Sequence, residues 1–127
     1  MNVTRFSEAP AYYPANHFQM GCVRLQGHEA GPADTLWLGV STLEPGGHTT
    51  SDASAVEKHY VVLEGEVTVV TDDGETVLRK HDSCRLAPGE ARALKNASAA
   101  IAVILLAMPY PSKAPKAGEA QAAVSTR

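Results

Sequence analysis

Hydrophobic positions alternate with polar ones in short runs along most of the chain, and segments rich in Gly, Pro and Asp separate these runs. A period of two residues, with many Val, Leu and aromatic side chains, is typical of β-strands. Strands are therefore predicted at residues 20–25, 35–43, 55–63, 66–71, 75–79, 83–87, 91–96 and 100–108. No helical repeat of about 3.6 residues has a useful length before position 100, so the sequence predicts an all-β protein.

Three segments refine this pattern. The run at residues 99–108 is apolar enough for a buried helix, but it is rich in β-branched residues, so we predict a buried strand. The segment Glu44-Pro45-Gly46-Gly47 is predicted to end the second strand, because Pro and Gly interrupt regular pairing. The segment Asp72-Asp73-Gly74 is predicted to be the turn of a hairpin.

Length and composition indicate one domain with an extension at each end. The chain has 127 residues and a mass of 13.4 kDa, and domains commonly span about 100–150 residues. Residues 1–18, rich in Pro, Tyr and Asn, are predicted to form an extended arm that packs its aromatic side chains over the body. Residues 19–111 form the predicted barrel. Residues 112–127 have little to bury, so a flexible, disordered tail is predicted there.

Charge and apolar length exclude two classes of partner. The formal net charge is -3 and the 11 basic residues are scattered, so binding to nucleic acid or to an anionic membrane is not expected. The longest apolar run, residues 97–108, is shorter than the ~20 residues that span a bilayer. No secretory signal pattern is present at the N-terminus, and Cys22 and Cys84 form no CxxC motif. We therefore predict a cytoplasmic protein with reduced thiols.

Two stretches flank the predicted hairpin. The first runs from Gly46 to Gly65 and closes with the sequence VVLEGE, and the second runs from His81 to Asn96 and includes Gly89. In their glycines and spacing, these stretches resemble the two motifs of the cupin superfamily. The resemblance covers residues 35–108 and implies a small RmlC-like jelly-roll β-barrel with a central pocket between the motifs. It also implies a homodimer, since small cupins commonly pair through edge strands.

The positions that carry metal ligands in cupins hold other residues here. Asp52, Ser54 and Lys58 occupy the ligand positions of the first motif, and Arg92 occupies that of the second. An ammonium and a guanidinium would repel a divalent cation, whose usual ligands are imidazole, thiolate and carboxylate. We therefore predict no metal at the usual cupin site and no other cofactor.

Strand alternation places residues 52, 54, 58, 60 and 62 on one face, which the cupin resemblance implies is inward, and His48 and Thr50 share that parity. These positions define the predicted site. The candidate catalytic residues are Lys58, Asp52 and Arg92, and the candidate substrate-binding residues are Arg92, Ser54, His48, Tyr60 and Trp37.

Two cations in one pocket predict an anionic substrate. Arg92 can hold a carboxylate by two parallel hydrogen bonds. Lys58, desolvated and close to Arg92, is expected to have a lowered pKa, so that its neutral amine acts as a base or a nucleophile, unless Asp52 stabilises the ammonium. This combination favours a metal-independent enzyme that enolises, eliminates or decarboxylates a small anionic metabolite.

Three other interpretations are open from the sequence. Asp52 can pair with both cations and fill the pocket as a structural plug. The barrel can bind a small ligand as a regulator without any activity. A one-residue bulge before Tyr60 can turn Glu57 and His59 inward, where they would form a metal site with His48.

The N-terminal arm adds one further candidate. His17 lies in the sequence YYPANHF, where a packed surface histidine is the commoner case. An arm that folds across the mouth of the barrel would bring His17, together with Tyr12 or Tyr13, to a substrate.

Overall fold

A computed structural model describes residues 1–110, and this part of the chain is almost entirely strand. The strands are β1 (Ala11–Tyr12), β2 (His17–Gln26), β3 (Leu36–Thr49), β4 (Asp52–Ala53), β5 (Lys58–Glu64), β6 (Glu66–Thr71), β7 (Gly74–Arg79), β8 (Ser83–Leu86), β9 (Ala91–Lys95) and β10 (Ala102–Pro109). Single 3-10 turns lie at Phe6–Glu8 and His28–Ala30. No helix among the described residues is long and apolar enough to cross a membrane. The prediction of an all-β protein is confirmed.

The strands wrap into a nearly closed barrel of antiparallel pairs. The strand order is β7-β6-β9-β3-β10-β5-β8; in addition, β2 pairs with β3, β1 with β2, and β4 with β9. β10 lies between β3 and β5 and pairs with both along most of its length. This order gathers β2, β3, β5, β9 and β10 around one interior.

β10 shows how the alternating pattern builds the core. Ala102, Ile104, Leu106 and Met108 are buried, whereas the residues between them are half-buried. The buried strand predicted for this run is therefore confirmed. The largest fully buried apolar side chains of the core are Leu43, Ile104, Val62 and Val67.

The Glu44-Pro45-Gly46-Gly47 segment does not end β3, so that prediction is wrong. The ladder between β2 and β3 shifts register at this segment and resumes at His48. Gly46 has φ of 85°, a left-handed conformation that glycine adopts readily, and its N–H donates to the Asn96 carbonyl (2.9 Å). The Asn96 side chain, 1% exposed, donates to the Leu43 carbonyl (3.0 Å). The segment is thus held as a bulge within one continuous strand.

The N-terminal arm is built into the sheet. β1 pairs with β2, with Tyr12 opposite Cys22, and β2 begins at His17, earlier than the predicted start at Met20. The arm therefore runs in an extended form, as predicted, beside the interior of the barrel. Its division from the body at residue 18 stays a prediction, and the predicted tail at residues 112–127 lies outside the described residues.

Both cysteines are free thiols. Cys22 is buried, and the Ser41 hydroxyl donates to its Sγ (3.4 Å). Burial raises the pKa of Cys22 and of the half-buried Cys84, so both thiols keep their protons near neutral pH. The homodimer and the cytoplasmic location stay predictions.

Candidate functional site

The barrel holds a cavity of about 590 Å³. Its floor is apolar and comes mainly from β10, with Ile104, Leu106 and Met108. Its polar wall comes from β2, β3, β4, β5 and β9, and residues 12–17 of the arm also line it. The polar and aromatic side chains that line it are Tyr12, Tyr13, Asn16, His17, Arg24, Trp37, Ser41, Thr49, Thr50, Asp52, Ser54, Lys58, Tyr60 and Arg92.

The structure brings most of the predicted site residues together in this cavity. All three candidate catalytic residues line it, and so do Ser54, Tyr60 and Trp37. The alternation of inward and outward side chains predicts the orientation of Lys58 and Tyr60 correctly, because β5 pairs with β8 without a register shift. His48 is the exception among the predicted site residues.

His48 lies outside the cavity, so its predicted inward orientation is wrong. Its side chain is exposed, and its ring stacks on Phe18 with 5.0 Å between ring centroids. The alternation fails here because β3 ends at Thr49 and pairing resumes only at Asp52, in β4. Thr49 is buried and lines the cavity in place of His48.

Arg92 is fixed from two sides. Its side chain is 4% exposed; Nε donates to the Tyr60 hydroxyl (3.1 Å) and Nη1 to the Thr49 hydroxyl (3.5 Å). Thr49 Oγ1 also accepts from the Leu94 N–H (3.1 Å) and donates to the Thr50 carbonyl (3.0 Å), so this hydroxyl has no freedom to rotate away. The guanidinium is therefore held in one orientation at the cavity wall.

Tyr60 presents a proton to the cavity. It is 3% exposed, and burial raises its pKa, so the hydroxyl stays protonated at neutral pH. Because this oxygen accepts from Arg92, its own hydrogen is free to donate to a bound molecule.

Lys58 has the lowered pKa that its position in the sequence predicts. Burial is the largest cause, the neighbouring Arg92 charge adds to it, and Asp52 opposes both, which leaves the pKa at about 8 instead of 10.5. The first two causes disfavour the ammonium, and a carboxylate favours it. A neutral amine is therefore accessible near physiological pH.

Asp52 does not plug the cavity. Its side chain is exposed, and Oδ1 accepts from the Ala53 N–H (2.9 Å). Within residues 1–110, the ion pairs closer than 4.0 Å include none between Asp52 and either Lys58 or Arg92. The interpretation of these three residues as a mutually paired plug is therefore wrong, and the space between them is open.

We expect the pKa of Lys58 to respond in opposite directions to its two charged neighbours. Asp52→Asn removes the charge that raises the pKa, so it should fall below about 8; Arg92→Gln removes a charge that lowers it, so it should rise. The rate of acetylation by acetic anhydride, followed by mass spectrometry over pH, measures this midpoint. Lys95, which is half-exposed and lies outside the cavity, is the control in the same digest. Equal pH profiles for Lys58 and Lys95 would refute the assignment.

The arm does deliver His17, Tyr12 and Tyr13 to the cavity. His17 Nδ1 lies 2.8 Å from the Ala15 carbonyl oxygen, so in the neutral ring Nδ1 carries the hydrogen and Nε2 is an acceptor. Burial lowers the pKa of His17; the hydrogen bond to Ala15 opposes this, and the Arg92 and Lys58 charges lower the pKa further. The imidazole is thus neutral at pH 7.

Arg24 is a lining residue that the sequence pattern did not single out. Its side chain is buried and lines the cavity from β2. The signal was present, since Arg24 has the parity of Met20 and Cys22 on a predicted strand, and a cation at an inward position of a strand is uncommon. Its contact with Tyr12 and Trp37 joins distant parts of the chain and could not be read from a local pattern.

The cavity does not offer the ligands of a divalent metal. Of the described residues that line it, only His17 and Asp52 have side chains of a type that commonly binds such ions, and two cations stand beside them. Nowhere in residues 1–110 do three or more His, Cys, Asp or Glu side chains gather as a metal site. The residues present therefore do not fit the metal of the usual cupin site.

The alternative ligand set is also not assembled. No bulge precedes Tyr60, since His59 pairs with Arg85 in an unbroken ladder. Glu57 forms an ion pair with Arg85 and lies 3.7 Å from His59 Nε2, on the outside of the barrel. With His48 stacked on Phe18, the three proposed ligands point away from the cavity.

Comparison with known proteins identifies the family. The sequence profile of the cupin domain matches residues 39–108. The chain belongs to the cupin family. A protein of Mycobacterium tuberculosis (strain H37Rv) named Beta-D-galactosidase Rv1717 is 40% identical to this cupin over 111 residues, which are 87% of this chain and 96% of that protein.

Solved structures share the fold of this cupin. The polyketide cyclase RemF from Streptomyces resistomycificus has a TM-score of 0.77 at 18% identity, over 86% of this chain and 79% of its own. An RmlC-like cupin from Shewanella frigidimarina has a TM-score of 0.70 at 15% identity, over 90% of this chain and 94% of its own. The predicted cupin barrel is confirmed.

Proposed function

We propose that this cupin is an enzyme that enolises, eliminates or decarboxylates a small anionic metabolite without a metal ion. The observation that carries the proposal is the presence of Lys58 and Arg92 in one open cavity, with the pKa of Lys58 at about 8. A lysine of ordinary pKa would hold its proton at neutral pH, whereas with this pKa roughly a tenth of the Lys58 side chains are neutral at pH 7. General bases work best when their pKa lies near the working pH.

Charge and donor geometry favour an anionic substrate. The described lining residues include three cations, Arg24, Lys58 and Arg92, against the single carboxylate of Asp52. A guanidinium has five N–H donors, and only two hydrogen bonds of Arg92 go to described residues. The remaining donors suit a carboxylate bound by two parallel hydrogen bonds.

The chemical step follows from this placement. With the substrate carboxylate on Arg92, the neutral Nζ of Lys58 takes a proton from the carbon next to a carbonyl, and the electron pair of that C–H bond moves to the carbonyl oxygen. Arg92 and the Tyr60 hydroxyl stabilise the resulting enolate, because both direct N–H or O–H donors at the developing charge. The Lys58 ammonium then returns the proton to another carbon, or the enolate expels a leaving group from the β-carbon.

Decarboxylation uses the same groups in another order. The bond between the carboxylate carbon and its neighbour breaks, CO2 leaves, and the electron pair is held as the enolate. The protonated Lys58 then gives its proton to the carbon. Asp52 raises the pKa of Lys58 in either case and so keeps a fraction of it in the acid form.

Proton exchange with solvent tests the proposal across a whole class of acids at once. We expect the protein in D2O to exchange a C–H proton next to the carbonyl, or to consume the acid, for one or more members of a panel of 2-oxo, 3-oxo and 3-hydroxy acids, followed by proton NMR. The rate of C–H exchange should rise with pH through about 8, as the amine of Lys58 loses its proton. Saturable binding of these acids, with neither exchange nor product, would contradict the proposed enzyme and favour a binding or regulatory barrel.

Hydrolysis of a β-D-galactoside is a second candidate, favoured by the relative that carries that name at 40% identity. Glycoside hydrolases commonly act with two carboxylates on either side of the scissile bond, whereas the described lining of this cavity supplies Asp52 alone. The test is release of nitrophenol from para-nitrophenyl β-D-galactoside. Release that is lost in Asp52→Asn and retained in Lys58→Met would favour hydrolysis over the proton-transfer proposal.

A further inference from the structure

Arg24 is a buried cation that the proposed chemistry does not use. Its side chain lines the cavity from β2 and is 11% exposed. The guanidinium carbon lies 3.6 Å from the centroid of the Tyr12 ring and 4.4 Å from that of the Trp37 ring. Contacts of this kind with the aromatic face hold a guanidinium in place and leave the edge of its plane, where the N–H groups lie, for other partners.

Gly39 makes room for this arrangement. It lies opposite Arg24 in the pairing of β2 with β3. A Cβ at this position would come within 2.9 Å of the Trp37 indole, 3.1 Å of the Val23 carbonyl oxygen and 3.4 Å of the Tyr12 hydroxyl. The rings that flank the guanidinium are therefore packed directly against the backbone of β3.

Among residues 1–110, the partners of Arg24 leave its terminal nitrogens free for a ligand. Nε donates to Glu29 Oε1 (3.0 Å). The Glu29 side chain is half-exposed and does not line the cavity. Nη1 and Nη2 make no hydrogen bond with any residue from 1 to 110. Every fully buried side-chain nitrogen in that range has a hydrogen-bond partner, so Nη1 and Nη2 are not fully buried. These two nitrogens therefore keep some exposure, and Arg24 is one of the residues that line the cavity.

Arg24 and Arg92 define two cationic ends of one cavity. Arg24 pairs with Gly39, Gly39 with Leu106, and Leu106 with Tyr60, which makes one row across β2, β3, β10 and β5. Three strand spacings amount to about 14 Å along the curved wall. Arg92 lies at the far end of this row, hydrogen-bonded to Tyr60.

We propose that Arg24 is a second anion-binding subsite and that the substrate of this cavity is a small acid with a second anionic group, a carboxylate or a phosphate, at its other end. The inference rests on the proposed function, because it takes Arg92 and Lys58 as the site of the first acidic group. Arg24 then fixes the length and the orientation of the substrate. Tyr12, which belongs to the N-terminal arm, makes this subsite depend on the arm.

Matched ligands test the subsite directly. We expect glutarate to bind the wild-type protein on the order of tenfold more tightly than monomethyl glutarate in isothermal titration calorimetry, because a charge-assisted hydrogen bond is lost with the methyl ester. In Arg24→Met this preference should vanish, with the affinity for monomethyl glutarate unchanged. The series from malonate to adipate gives the spacing of the two subsites, and 3-phosphoglycerate against glycerate decides between carboxylate and phosphate.

Glu29→Gln separates a subsite from a structural ion pair. The substitution removes the charge that neutralises Arg24 without touching the cavity lining. A subsite should then bind glutarate several-fold more tightly, with monomethyl glutarate unaffected. A purely structural pair would lower thermal stability and leave both affinities unchanged.

The outcomes distinguish this inference from the proposed function. Equal affinities of the wild-type protein for glutarate and its monomethyl ester would overturn the subsite; if Arg92→Met still weakens the monoester, the anion site of the proposed function stands. Failure of every acid to bind would overturn both. Unfolding curves for Arg24→Met show whether the cation–π contacts are needed for folding. If this variant does not fold, Glu29→Gln still tests the subsite, because it leaves Arg24 and the cavity lining in place.

Discussion

Replacing Lys58 by Met is expected to lower turnover by about 10²–10⁴-fold, the usual contribution of a general base. Met has nearly the same length and apolar stem, so the packing around position 58 is kept while the amine is removed. The loss should appear in kcat and in the rate of solvent exchange, with ligand binding at Arg92 largely retained. Such a separation is the mark of a group that acts on the reacting atoms.

The same substitution is expected to stabilise the fold at neutral pH. The pKa of Lys58 is about 8 in the folded protein against 10.5 ordinarily, so below pH 8 the folded state carries an ammonium in an unfavourable place. Linkage gives a penalty of up to about 3 kcal/mol below pH 8 that disappears as pH rises to the unfolded pKa. Urea unfolding of both proteins at pH 7 and pH 10 should show the advantage of Lys58→Met shrinking at the higher pH.

Lys95→Met is the matched control for both measurements. Lys95 is on β9, is half-exposed and pairs with Glu75 (2.9 Å), away from the cavity lining. It should leave turnover unchanged and shift stability by less than about 1 kcal/mol. Borohydride in the presence of substrate adds a second distinction, since a covalent adduct at Lys58 would identify a Schiff-base nucleophile in place of a base. Full turnover in Lys58→Met would refute the role of Lys58.

Alternation predicts residues reliably where the ladder is regular. Lys58 and Tyr60 line the cavity as predicted because β5 pairs with β8 without a shift. Ile104 is buried on β10, whose ladder with β3 has no register shift. The cupin resemblance adds what periodicity lacks, namely which of the two faces is inward, and so it brings Arg92 on β9 into the same site as Lys58.

Strand alternation fails at His48 because the strand is irregular on both sides of this residue. His48 lies between the bulge at Glu44-Pro45-Gly46-Gly47 and the break at residues 50–51, and each irregularity resets the parity of the side chains. Asn96, which holds the bulge, acts through hydrogen bonds to residues far away in sequence, and these are not visible in a local pattern.

The arm and Arg24 show a second limit. Tyr12 reaches Arg24 because β1 pairs with β2, a hairpin that composition alone did not predict. Once that pairing is known, the position of His17 at the cavity follows, since β2 begins there. The signal for Arg24 in the sequence is a single charged residue at an inward position of a mostly apolar strand.

Arg92→Met is expected to weaken the binding of monomethyl glutarate by about 100-fold. Arg92 is 4% exposed, and Tyr60 and Thr49 fix its guanidinium in advance, so the remaining donors meet an anion with little loss of entropy. Loss of a charge-assisted, two-pronged contact in a buried site is worth about 3 kcal/mol, which is roughly two powers of ten in Kd. The affinity of Arg92→Lys for monomethyl glutarate should lie between those of the wild type and Arg92→Met. An ammonium keeps the positive charge, but it cannot donate to Tyr60 and to a carboxylate in one plane.

Two further variants decide whether Arg92 binds the anion or only supports the wall. Tyr60→Phe removes the hydroxyl that accepts from Nε, so it should weaken binding about tenfold and show coupling with Arg92→Met in a double-mutant cycle. Arg85→Met removes an arginine that pairs with Glu57 outside the barrel, and it should leave the affinity unchanged. If Arg92→Met binds the monoester as well as Arg85→Met does, the anion lies elsewhere and the enolate would lose its proposed stabiliser. If affinity falls only in Arg92→Met, Arg92→Lys and Tyr60→Phe, the cavity wall itself recognises the charge.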